Sequence, residues 1–122
     1  MQSNHTQTGG RYEDLAAAFL EQSGCRIRSR NWRGRHGELD LVAVSADCLI
    51  FCEVKYRAGF SFGRPEEAVD ARKRRHLWLT AREYLAAFGF AEDTPCRFDV
   101  IAVEGPAGQE RIHWLRDAFG GI

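Results

Sequence analysis

Gly37–Arg57, GELDLVAVSADCLIFCEVKYR, decides the fold. It reads as two mostly apolar strands around a short turn, with Glu38, Asp40, Glu53 and Lys55 set inside them. A turn centred between Ala46 and Asp47 puts Val44 opposite Leu49, Asp40 opposite Glu53 and Glu38 opposite Lys55. Directly opposed residues share a face, with side chains about 5 Å apart. The two-residue period of a strand adds Arg57 to the same surface. A slip of one residue would send the two strands' charges to opposite faces, so the gathering depends on register.

Two carboxylates opposed on neighbouring strands repel, and the repulsion grows as the dielectric falls. A shared proton, a neighbouring cation or a bound metal would offset it. All-oxygen ligands favour a hard ion, Mg²⁺ or Mn²⁺, which typically takes one or two carboxylates, keeps waters and binds phosphate oxygens. Asp40 and Glu53 are the expected ligands, with the Val54 carbonyl as a third. Water at such an ion loses a proton more easily. Lys55 would hold that water or stabilise charge in a phosphoryl transition state.

The chain has fifteen arginines and two lysines, Lys55 and Lys73. Generic positive charge is supplied by Arg, so a compact ammonium at two places suggests a particular use. Lys73 precedes Leu77 by one helical turn and so lies on an inward face. Glu13 borders the apolar stripe of the first helix. Its ordinary role would be an exposed first-turn acid favoured by the helix dipole. Asp99 shares a strand face with Ile101 and Val103 and reads as a buried structural acid, paired with an arginine or a backbone amide. Trp32, Phe60 and Phe62 are able to stack on bases, although core or interface packing is their default. His5, His36, His76 and His113 form no metal-binding spacing. The four cysteines contain no CxxC pair and read as buried free thiols of a reducing cytosol rather than a zinc site.

A length of 122 residues suggests one domain. The expectation is a frayed tail over residues 1–9 and a single domain over 10–122. No apolar run is long enough to span a bilayer, and the polar N-terminus carries no secretory segment, so the expected location is cytoplasmic. A formal net charge of zero argues against coating nucleic acid by charge alone. The charge is uneven, however. Five arginines lie between Cys25 and His36, and Arg72, Lys73, Arg74 and Arg75 form a second cluster, while acids outnumber bases from Ala86 onward. Arg28, Arg30, Arg33, Arg35, Arg57, Lys73 and Arg74 are the expected nucleic-acid contacts. Helical spacing marks 8–24 and 70–89, with Asp70 as N-cap and Gly24 and Gly89 as stops. Strands are expected in CRIRSRNW, CRFDVIAVEG and RIHWL, and AGFSFGRPEEA reads as a loop. The order is α-β-β-β-α-β-β, an α/β plan with helices covering a central sheet.

GELDLVA, FCEVKYR, FGRPEEAV, Lys73, RFDV and the terminal DAF together resemble the YraN-like family of predicted bacterial endonucleases, relatives of archaeal Holliday-junction resolvases. The resemblance runs from about Gly10 to Phe119. It implies a restriction-endonuclease-like fold, a mixed central β-sheet flanked by helices. It implies a first-helix acid at Glu13, metal-binding carboxylates at Asp40 and Glu53, and an active-site lysine at Lys55. The expected activity is Mg²⁺-dependent (or Mn²⁺-dependent) hydrolysis of phosphodiesters in DNA, structured or branched DNA among the substrates, and junction cutting would need a homodimer. The alternatives are a non-catalytic nucleic-acid-binding module and a protein-interaction module on the same fold.

Overall fold

A computed structural model describes residues 7–57 and 70–120, with side chains from Gly10. The 1–9 tail boundary, the AGFSFGRPEEA loop, FGRPEEAV, Phe60 and Phe62 fall wholly or largely outside the described residues. The elements are α1 (Gln7–Gln22), β1 (Arg26–Arg33), β2 (Glu38–Val44), β3 (Leu49–Arg57), α2 (Ala71–Ala87), β4 (Cys96–Glu104) and β5 (Arg111–Phe119). The strands form one sheet in the order β1-β2-β3-β4-β5. Among the described strands only β3 and β4 pair in parallel, and α2 lies in the connection between them. The element order and the mixed sheet are those expected.

Each helix covers one face. In β3, Leu49 and Phe51 join Val42, Phe98, Val100 and the α2 residues Leu77, Ala81, Tyr84 and Leu85. Ile50 and Cys52 point the other way, to Leu41, Ala43, Ile101, Val103 and the α1 residues Tyr12, Ala16, Ala17 and Leu20. This alternation is the two-residue period of a strand buried on both sides. The α1 contacts recur at four-residue spacing, which sets one stripe of the helix on the sheet. Asp70 caps α2 by accepting the Lys73 N–H at 2.9 Å. The helix ends before Gly89, whose φ of +75° is a left-handed conformation that suits glycine.

The hairpin register is the one expected: Leu41, Val42, Ala43 and Val44 pair with Cys52, Phe51, Ile50 and Leu49. The described β2–β3 pairing ends at Leu41 and Cys52. On the other side of β2, Arg30 pairs with Leu41 and Trp32 with Leu39, bracketing Asn31, which has a φ of +53°. Asn is among the few residues that tolerate this conformation. The β1–β2 register continues past Asp40, from Arg30 and Leu41 to Trp32 and Leu39, so the regular pairing lapses on the β3 side, where it stops at Leu41 and Cys52. Glu38 departs from the expectation. It pairs with Arg33 of β1, 3.7 Å between charged groups, and the β2–β3 ladder that would carry it to Lys55 has already stopped.

Asp99 is fully buried and accepts from Arg97 Nε at 3.0 Å, Trp114 Nε1 at 2.7 Å and the Asp117 N–H at 2.9 Å. Asp117 has a φ of +52°, and the register shifts between Phe98 and Val100. The bulge turns a backbone donor onto the buried acid, so the structural reading of Asp99 stands. The cysteines are free, but only Cys52 is buried, and Cys25, Cys48 and Cys96 are half-buried. The expectation of four buried thiols is corrected to one, because Cys48 sits at the turn and Cys25 and Cys96 at strand ends. Among the described residues, no three or more His, Cys, Asp or Glu side chains form a metal-holding group, and no helix is long and apolar enough to cross a membrane.

Candidate active site

The end of the sheet away from the 45–48 turn gathers charged groups from β2, β3, α1 and α2. Where the β2–β3 ladder stops, the Asp40 side chain takes over: Oδ2 accepts the Val54 N–H at 2.9 Å. That bond holds the carboxyl group toward β3, within hydrogen-bonding reach of Glu53. Burial and the neighbouring Glu53 charge push the Asp40 carboxyl up to about 8, against the opposing effect of the Val54 N–H. Glu13 adds a third negative charge in the same direction. A carboxylate losing water and facing two others favours its protonated form.

Glu53 has the opposite balance. It is 5% exposed, and burial alone would raise its pKa. The Lys73 ammonium forms an ion pair with its Oε2, and Lys55 Nζ lies 3.1 Å from the same oxygen. Together they hold Glu53 below the usual carboxylate range. Lys55 is held below its ordinary value by burial and by the nearby Lys73. Burial works against the Lys73 charge too, but its bond to Glu53 raises it overall. The site thus contains one carboxylate matched by two ammoniums and one that gains from a proton.

Glu13 is buried on α1, so the ordinary role of an exposed first-turn acid does not apply. Tyr12 and Tyr56 flank the site. Their rings stack with centroids 3.6 Å apart, joining α1 to β3 beside Glu13 and Lys55. No spacing in the sequence signalled that stack, since it depends on how α1 crosses the sheet. Arg57 approaches Glu104 at 3.8 Å.

The expected nucleic-acid contacts disperse. Arg28 Nε donates to the Tyr84 hydroxyl at 2.9 Å, and its guanidinium lies over Phe88 and Phe90. Arg30 pairs with Asp14, Arg33 with Glu38, and Arg74 lies over the Phe119 ring. Arg35 is exposed, and its backbone N–H is fixed by Glu83 Oε2 at 3.0 Å. Trp32 packs edge-on against Tyr84, its default core role. Lys73, expected at phosphate, is found at Glu53. Its inward spacing from Leu77 gave the direction, but the carboxylate it meets lies on another element.

The family model described as "Uncharacterised protein family UPF0102" matches residues 12–103. A UPF0102 protein of Stutzerimonas stutzeri is 42% identical over 117 residues, covering 95% of this chain and 98% of its own length. Another, of Symbiobacterium thermophilum, is 50% identical over 108 residues, covering 88% and 91%. Among solved structures, a repair endonuclease from Pyrococcus abyssi matches at 16% identity with a TM-score of 0.43, over 88% of this chain and 42% of that one. Pyrococcus furiosus SfsA in complex with Ca²⁺ matches at 17% identity with a TM-score of 0.38, over 92% and 64%. The chain therefore spans less than two thirds of either solved protein.

Proposed function

The chain belongs to the UPF0102 family, and from that premise we propose that it is a nuclease, specifically a Mg²⁺-dependent endonuclease that hydrolyses phosphodiester bonds in DNA, branched DNA among its substrates. One observation carries this reading: Asp40 and Glu53 meet on adjacent strands with Lys55 Nζ 3.1 Å from Glu53.

The donor set suits a hard divalent cation. Its donors are carboxylate oxygens, and Asp40 lacks enough positive charge nearby to stay ionised at neutral pH. A cation in place of the Asp40 proton would relieve the repulsion. Asp40 and Glu53 are the residues that would hold it, and Mn²⁺ would substitute for Mg²⁺. Bound there, the ion would supply Lewis-acid polarisation of a phosphoryl oxygen.

The protein groups have separate tasks. The Val54 N–H fixes the Asp40 carboxyl, and the buried stem of Glu53 fixes the other. Lys55, on a hydrogen-bonded strand and with its pKa lowered, donates to an oxygen that gains negative charge as the bond to phosphorus forms. Glu13 raises the negative potential felt by a cation. Exposed arginines of the β1–β2 turn and of the first turn of α2 attract phosphates, which sets position rather than sequence.

The test is incubation of the purified protein with single-stranded, duplex, flap and four-way-junction DNA in Mg²⁺, Mn²⁺ or EDTA. Cleavage is expected with metal, none with EDTA, and a loss of about 10²-fold or more in Glu53→Gln and Lys55→Ala. Cleavage that survives EDTA or both substitutions would overturn the mechanism. Salt-sensitive binding with no cleavage on any substrate would favour the non-catalytic module.

A further inference from the structure

The two lysines of the chain converge on one oxygen, Glu53 Oε2, from different elements. Lys55 comes from the middle of the sheet. Its side chain is 22% exposed, and its strand pairs with β4 from Leu49 to Arg57. Lys73 comes from the first turn of α2. Its side chain is 40% exposed, yet its ammonium reaches a carboxylate side chain that is 7% exposed. The Asp70 cap fixes the Lys73 backbone at 2.9 Å, so the reach belongs to the side chain alone.

An oxygen engaged by two ammoniums has little lone-pair density left for a metal. One of the two must give way, and the structural settings differ. Lys55 is held by a strand inside the sheet. Lys73 has a long unbranched stem with rotatable bonds and solvent beside it, so withdrawal restores its hydration at small conformational cost. Exposed Arg72 and Arg75 flank it on the same turn, where a nucleic-acid phosphate would be drawn.

Formal charges agree with such an exchange. Without metal, Glu13 and Glu53 as carboxylates balance the two ammoniums, with Asp40 carrying its proton. A divalent ion that replaces that proton brings the sum to +1, which one phosphodiester returns to zero. Without metal, a lysine is better placed at Glu53, and with metal it is better placed at the phosphate.

We infer that Lys73 is a placeholder cation: it occupies Glu53 while the site is free of metal, yields that oxygen when a divalent ion enters, and then engages the phosphate of the nucleic acid. This rests on the metal-site reading above. It makes metal occupancy a condition for part of the substrate affinity.

The test measures binding rather than turnover. Mn²⁺ affinity is measured by calorimetry for the wild type, Lys73→Met and Asp40→Asn. Affinity for a fluorescent four-way DNA junction is measured with Ca²⁺ and with EDTA. Lys73→Met keeps the apolar stem and removes the competing charge. It is expected to bind Mn²⁺ several-fold more tightly, and to bind DNA several-fold more weakly in Ca²⁺ with no loss in EDTA. A residue that only braces the fold would not move the two affinities in opposite directions. Unchanged or weaker Mn²⁺ binding, or an equal DNA loss with and without Ca²⁺, would overturn the placeholder role.

A second measurement uses the unaltered chain, so it stands even if the variant misfolds. Selective ¹³C-lysine labelling gives two side-chain signal sets, and Mg²⁺ is expected to move the Lys73 set to free-lysine values. A Lys73 set unmoved at saturating Mg²⁺ overturns the inference. If the wild type binds no Mn²⁺, or Asp40→Asn binds it equally well, the metal site itself falls and the placeholder with it. If Asp40→Asn abolishes binding while Lys73→Met changes nothing, the placeholder alone falls.

Discussion

At Asp40 the fold keeps a proton that an unfolded chain releases near pH 3.8, because burial and Glu53 push the carboxyl up to about 8. A raised folded-state pKa contributes stability that is fully present below the unfolded value and is lost as pH rises through the folded one. Metal-free protein should therefore lose stability between about pH 4 and pH 8 on the account of Asp40. Glu53, held below its ordinary value, contributes the other way: its share is present above about 4.5 and is lost as pH falls through its lowered value. Thermal melts across this range should show the decline, and Asp40→Asn should flatten it. Mg²⁺ must displace the Asp40 proton to bind, so its stabilisation should grow from pH 6 to pH 8. The same melting point rise at both pH values would contradict the assignment. Asp99 is the contrasting acid. It has three different donors and no place in the site. Asp99→Ala should cost about 3–5 kcal/mol by stranding the Arg97 charge and two donors. If the variant folds, its Mn²⁺ affinity should match the wild type, and denaturant melts with calorimetry would test both halves.

At the scale of elements, the β1–β2 turn shows how α2 reaches across the sheet. Glu83 accepts the backbone N–H groups of Arg35 at 3.0 Å and His36 at 3.2 Å, and pairs with His36 Nδ1 at 3.1 Å. A Cβ on Gly34 would stand 2.6 Å from Glu83 Oε1, so a larger residue there would push the Glu83 carboxylate out of its present position. Glu83→Ala should speed amide exchange at Arg35 and His36 while leaving Phe51 and Phe98 in the core protected. Unaltered exchange at the turn would mean that the bonds do not restrain it. Only the hydrogen-bonded partners of Glu83, not its position in a helical pattern, reveal this clamp. The hairpin beside it was legible, because a turn centred between Ala46 and Asp47 sets the pairing of Leu41–Val44 with Leu49–Cys52. Its end beyond Leu41 was not, because there the Asp40 side chain takes the Val54 N–H in place of a backbone partner.

Over the whole molecule, a net charge of zero limits how strongly nucleic acid is held by charge alone. Arg28, Arg30, Arg57 and Lys73 are engaged within the protein, so fewer phosphate contacts are expected than the seven basic residues first suggest. Without divalent metal, the slope of log affinity for duplex DNA against log salt should be about −4 or shallower, at roughly 0.9 per contact. A slope near −6, about seven contacts at roughly 0.9 each, would return those residues to the interface. The sequence by itself determined the α-β-β-β-α-β-β order, the hairpin register, the facing of Asp40 and Glu53, and the burial of Asp99. These follow from periods of two and about four residues, which local sterics impose on any chain. Only the tertiary structure decided that Glu13 is buried, that Tyr12 stacks on Tyr56, and that Lys73 meets Glu53 rather than solvent. Those contacts join residues from elements far apart in the chain, and the angle at which each helix crosses the sheet is set by side-chain packing, which no local period records.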